Sequence, residues 1–201
     1  RLYSTSKDEF LVLIVTFLLT LFFGITEGIL LGILLSLLLL VYRNSKPHHA
    51  FLGRIGTTNY FKNSIRFPKE VVPRDDLIIL RFDGQLFFGN IQYFKQLISD
   101  TISKNPAKVK GFIINMRSIN YIDSTATEQL TKIILSMKKQ GIRVMLVGAI
   151  GPARDVILKS EIIHVLKKRN LFITSGDATD SFDGVCKKTY LQKKLTQQNN
   201  P

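Results

Sequence analysis

Asn120-Tyr121-Ile122-Asp123-Ser124-Thr125-Ala126 stands between a run that reads as a buried strand, residues 109–115, and a run with helical spacing, residues 125–140. In the second run Ala126, Leu130, Ile133, Ile134 and Met137 fall on one face, and Gly141 stands where a C-cap glycine belongs. The same alternation continues on both sides. Upstream, Leu77-Ile78-Ile79-Leu80-Arg81-Phe82 is a β-rich run, Asp83-Gly84 a turn pair, and residues 85–89 either a second strand or a bend. Asn90 can cap a helix to about Ser103, with Ile91, Phe94, Leu97, Ile98 and Ile102 on one face, and Lys104-Asn105-Pro106 ends it. Downstream come a strand at 142–147, Pro152 at a helix start, a helix at 153–160, a short helix or turn at 161–169, a strand at 171–174 and a final helix from Asp177 to about Leu191. Strands alternating with helices predict an α/β sandwich: a mostly parallel sheet covered by helices on one face or both, over residues 76–192, with a polar tail at 193–201.

The opening loop is the place to look for chemistry. The first amides of a helix are unpaired and the dipole there is positive, so an acid or phosphate is stabilised. A phosphoserine at Ser124 would add close to two negative charges to the surface. The simpler account is structural: Asp123 or Ser124 as N-cap, with Thr125 and Glu128 at capping-box spacing, and it is favoured because every helix needs a cap. Asp123, Ser124 and Thr125 are therefore the candidate regulatory loop. No GxSxG elbow, P-loop lysine motif or GxGxxG occurs, and no His or Cys neighbours Ser124 in sequence to activate it, so no catalytic residue is assigned and an enzyme is not expected.

Toward the amino terminus the solvent changes. Residues 10–41 hold no Lys or Arg and one acid, Glu27, whereas from Tyr42 onward the pattern is that of a soluble protein. A single span needs about 20 apolar residues. The run is longer than that, and Gly24-Ile25-Thr26-Glu27-Gly28 interrupts it, which predicts two short helices, 7–23 and 26–43, meeting at a tight turn. Gly24, Gly28 and Gly32 form a small-xxx-small stripe suited to close helix packing. An intramembrane carboxylate such as Glu27 can mark an ion path, a proton relay or an ion pair; its place at a turn favours a structural role, capping the second helix at its positive end. The chain opens on Arg1, without a secretory cleavage site, and is read as a piece of a longer polypeptide.

Of the formal charge of +13, residues 1–41 contribute −1 and the rest +14. Arg43, Lys46, Arg54, Lys62, Arg66, Lys69 and Arg74 closely follow the apolar run, which places the soluble part on the cytoplasmic side. Residues 44–75, basic and carrying Pro47, Pro68 and Pro73, read as a connector without a core of its own. The bases are scattered singly with no aromatic-basic motif, so nucleic acid is not expected as a partner. One cysteine, Cys186, excludes an internal disulfide, and His48, His49 and His164 lack ligand spacing, so neither a metal nor a cofactor is expected.

The residues also carry a resemblance. The stretch from Asp8 to Arg43, Phe-Leu-Val-Leu-Ile-Val-Thr-Phe and then Gly-Ile-Thr-Glu-Gly-Ile-Leu-Leu-Gly, resembles the last two transmembrane helices of the SulP (SLC26) anion transporters, and Phe51 to Phe61 is similar to the stretch after them. Ile122-Asp123-Ser124-Thr125-Ala126 resembles the loop of STAS domains, shared with bacterial anti-sigma factor antagonists. The order of these features resembles the family more specifically than any one of them. The resemblance implies a STAS-type fold in the carboxy-terminal part of a secondary transporter or exchanger of inorganic anions such as sulfate or bicarbonate. It also implies a homodimer in contact with membrane lipid and the remainder of a transport domain, with the STAS surface open to a regulatory protein. In the antagonists the serine at the position of Ser124 is phosphorylated by a kinase; where they have Gly after the Ser pair, this chain has Ala126 and Thr127. The family's anion site is built from earlier helices, so no substrate-binding residue is assigned here. The short run 104–108 is as in bacterial members. The alternative is a membrane-tethered partner-switching module with Ser124 as its switch.

Overall fold

The computed structural model of the chain describes residues 7–72, 74–104 and 106–185. It divides into two compact units, residues 1–46 and 47–201. Cys186, the tail 193–201 and the end of the expected last helix lie outside the described residues, as do Pro73 and Asn105.

The first unit is a helical hairpin. Helix α1, Lys7–Phe23, is followed after Gly24 by helix α2, Ile25–Ser45. The turn is one residue: Gly24 has φ 98°, a conformation that costs a residue with a Cβ more than it costs glycine. The second helix is longer than expected, starting one residue earlier and running on through Asn44 and Ser45. Asn44 Nδ2 and Ser45 Oγ donate to the carbonyls of Leu40 and Val41, which satisfies acceptors at its end. Its 21 residues are long and apolar enough to cross a membrane. Only Gly28 and Gly32 are buried, against Thr20 and Thr16 of α1; a Cβ on Gly28 would stand 2.5 Å from Thr20 Cα. Leu11, Phe22, Ile25 and Leu30 are among many large apolar side chains left exposed, a surface far larger than a protein in water tolerates.

The second unit is built on a six-stranded sheet in the order β2-β1-β3-β4-β5-β6. Strands β3 (Leu77–Asp83), β4 (Gly111–Asn115), β5 (Arg143–Val147) and β6 (Leu171–Phe172) run parallel. Residues 44–75 prove to be more than a connector. They supply β1 (His48–Arg54), antiparallel to β3, and β2 (Phe61–Asn63), antiparallel to β1. Residues 85–89 form the bend and not a second strand, touching the sheet through an isolated Leu86–Ile122 bridge.

Both faces of the sheet are covered, which is why β4 and β5 are continuous apolar runs. On one face Leu80, Phe82, Phe112, Ile114, Val144 and Leu146 pack against helices α3 (Ile91–Lys104), α4 (Ser124–Lys139), α5 (Gly151–Lys159) and α6 (Glu161–Leu166). On the other, Leu77, Ile79, Ile113, Met145, Val147 and Phe172 meet α7 (Ser175–Phe182) through Ala178 and Phe182. A 3-10 turn, Lys168–Asn170, follows α6. Helix α7 starts two residues before Asp177 because Thr174 is its cap, its hydroxyl accepting from Asp177 N–H.

Candidate functional site

Because β3, β4 and β5 are parallel, the loops at 84–90, 116–123 and 148–150 all leave the same edge of the sheet. The first two are bound to each other. Leu86 N–H donates to the Tyr121 carbonyl at 3.0 Å and Asp123 N–H to the Leu86 carbonyl at 3.2 Å. The Asp123 carboxylate completes the link: Oδ1 accepts from Ala126 N–H at 2.7 Å, capping α4, and Oδ2 accepts from Phe88 N–H at 2.9 Å. One side chain thus closes a helix and holds the neighbouring loop.

Of Asp123 and Ser124, the alternatives for the cap, the structure selects Asp123. The expected Thr125–Glu128 capping box does not form, because Thr125 is already inside the helix and Glu128 bonds Lys132 one turn on. Ser124 is the first residue of α4. Ser124 and Thr125 are exposed, and neither hydroxyl has a hydrogen-bond partner among the described residues. A phosphoryl group on Ser124 would sit at the positive end of a 16-residue helix. Phe88 and Tyr121, 71% and 50% exposed, flank this edge as an aromatic surface that local sequence did not single out; Phe88 is brought close by the long-range bonds of its loop to residues 121–123, among them its own amide to Asp123.

A second polar cluster lies where β3 ends. Arg81 donates twice to the Asp83 carboxylate, at 2.8 and 2.9 Å, Ser118 Oγ donates at 3.2 Å, and His48 Nδ1 lies 3.1 Å away. Burial pushes the Asp83 carboxyl up, but the bonds from Arg81, His48 and Ser118 outweigh it and hold it below the usual carboxylate range. Next door, burial and then the charge of His48 push the His49 imidazole below its ordinary value; its Nδ1 lies 3.1 Å from Tyr93 Oη.

In the hairpin, Arg43 bonds Glu9 at 2.8 Å and lies 3.8 Å from Asp8, so the open ends of α1 and α2 share one ionic layer while Glu27 stands at the closed end, in the first turn of α2. Of the three glycines, Gly28 and Gly32 make the close helix approach and Gly24 makes the turn. Among the described residues no group of three or more His, Cys, Asp or Glu could hold a metal ion.

Comparison with known proteins adds the family. The STAS domain family matches residues 68–178, more than half of the 201-residue chain. The chain belongs to that family. Plant sulfate transporters match over most of the chain, a longer stretch than the STAS domain alone. Probable sulfate transporter 4.2 of Arabidopsis thaliana is 30% identical over 189 residues, 88% of this chain and 27% of the relative. Sulfate transporter 4.1, chloroplastic, of the same plant is 28% identical with the same coverage. The chain therefore spans about a quarter of the length of these relatives. Among solved structures, the murine Solute Carrier 26 family member A9 anion transporter in the inward-facing state superposes with a TM-score of 0.83 at 18% identity, over 91% of this chain and 30% of that one, which shows the fold.

Proposed function

We propose that the chain is the carboxy-terminal part of a secondary active inorganic anion transporter of the SulP (SLC26) type, with the STAS domain as a regulatory and assembly module and no enzyme activity of its own. The observation that carries this reading is the match to sulfate transporters over 88% of the chain, well beyond the residues of the STAS domain itself. The exposed apolar hairpin supports a membrane environment, and the bases after it support a cytoplasmic STAS domain. In this reading the partners are membrane lipid, the remainder of the transport domain and a second copy of the protein. The test is uptake of labelled sulfate and bicarbonate into proteoliposomes by the full-length polypeptide and by a version ending near Pro47. Uptake by the first, retained in part or whole by the second, supports a transporter with a regulatory STAS domain. An intact, folded protein that moves no anion rejects it.

A second reading has one specific observation in its favour: the exposed, unbonded Ser124 hydroxyl at the start of α4, beside Phe88 and Tyr121. There the domain works as a tethered partner-switching module, and phosphorylation of Ser124 alters the docking of a regulatory protein on this edge. Phosphate mapping by mass spectrometry on protein from its native cell tests it; an unmodified Ser124 under all growth conditions rejects the switch.

A further inference from the structure

At the opposite edge, where the parallel strands begin, the fold gathers positive charge. Arg143 opens β5, Lys138 lies in the last turn of α4, and Lys167 and Arg169 sit between α6 and β6. Together with Asn170 they line a concave pocket of about 530 Å3. Among the described residues none of the four cations forms an ion pair.

Neutral acceptors orient two of them. Arg143 donates from Nε to Asn170 Oδ1 at 3.2 Å, from Nη1 to the Ser181 carbonyl at 2.9 Å and from Nη2 to Ser181 Oγ at 3.0 Å. Lys138 Nζ donates to the Val165 carbonyl at 2.7 Å. These bonds fix direction without cancelling charge, and each side chain keeps donors to spare. Burial, and then the nearby charge of Arg169, hold the Arg143 guanidinium below the ordinary arginine value. Lys167 has φ 66°, the single non-glycine residue with positive φ among the described residues, so the chain keeps a lysine where glycine would be at ease.

Like charges brought together around a concavity repel, and an anion with several oxygens relieves that repulsion. The guanidinium fork fits phosphate oxygens best. No aromatic ring lines the pocket to stack on a base, so recognition falls on the phosphate itself. We propose that this pocket binds a phosphate-bearing anion through Arg143, Arg169, Lys167 and Lys138, the phosphate belonging to a soluble polyphosphate or to a phosphorylated lipid headgroup. The site lies at the end of the sheet opposite the Ser124 edge, and its test needs no transport activity.

Calorimetric titration of the full chain in a neutral detergent tests this, with inorganic pyrophosphate in one arm and a short-chain phosphatidylinositol phosphate in the other. We expect saturable binding that weakens as salt rises. It should fall at least tenfold in the Arg143→Gln, Arg169→Gln double variant. Lys167→Gly should weaken binding with no fall in melting temperature, which separates loss of the site from loss of the fold. Tighter binding of the lipid assigns the site to a headgroup; pyrophosphate binding as tight or tighter assigns it to a soluble phosphate, and both support the proposal. No saturable binding of either probe, or unchanged affinity in Lys167→Gly and in the folded double variant, overturns it.

Discussion

Asp123 is the side chain on which two loops depend, since each of its oxygens accepts a backbone N–H from a different segment. Replacing it with Ala removes an N-cap and leaves the Phe88 amide without its partner. We expect Asp123→Ala to lower stability by about 1–2 kcal/mol, read from urea unfolding. Ser124→Ala, which removes an exposed hydroxyl with no bond, should change stability by less than about 0.5 kcal/mol. Equal losses in the two variants contradict this account of the cap. His49 and Asp83 both contribute to the response to acid. The folded state depresses both groups, so the unfolded chain takes up their protons first as pH falls. The contribution of His49 is whole above its unfolded value of about 6.5 and is lost as pH drops through the folded value, while that of Asp83 is lost only below about 3.9. Melting temperature should therefore decline between pH 7.5 and 5.5, and His49→Phe, which keeps the edge-to-face contacts with Phe51 and Tyr93, should flatten that decline. An Asp before a helical run was legible as a cap from local sequence alone. Its second bond, to Phe88, lies 35 residues away and no local pattern encodes it.

Among the elements, the hairpin depends on the absence of side chains at two positions. Leu at Gly28 or Gly32 would drive into Thr20 or Thr16, so either change should separate α1 from α2, read as loss of a disulfide crosslink engineered between them. Leu at exposed Leu-rich positions such as Ile29 should leave the crosslink intact. Helices α3 and α4 were legible because each carries its own period, and strands β3 to β5 because each is a short β-rich apolar run bounded by turn residues. Strand β1 was not: His48-His49-Ala50-Phe51-Leu52-Gly53-Arg54 lacks clean alternation, stands among prolines and bases, and pairs with β3, whose residues lie roughly thirty positions further on. The basic pocket was hidden for the same reason, its four cations being scattered in sequence and joined only by the sheet.

For the whole molecule, the decisive boundary is the start of the second unit at Pro47. A chain beginning there keeps β1 over the edge of β3, whereas one beginning at Asp76, as the strand-helix alternation alone suggests, leaves β3 unpaired on that side. We expect residues 47–201 to be monodisperse or dimeric by light scattering and residues 76–201 to aggregate; a well-behaved shorter chain would show that β1 is dispensable.

The sheet ends in a three-residue strand on one side and a two-residue strand on the other. Beyond these short strands β1 and β5 run on without an outer strand partner at residues 48–51 and 143–145, so each rim is stepped and neither presents one long flat edge to a neighbouring molecule. In the membrane setting proposed above, such broken rims are a safeguard against fibrils: copies crowded side by side can still come apart.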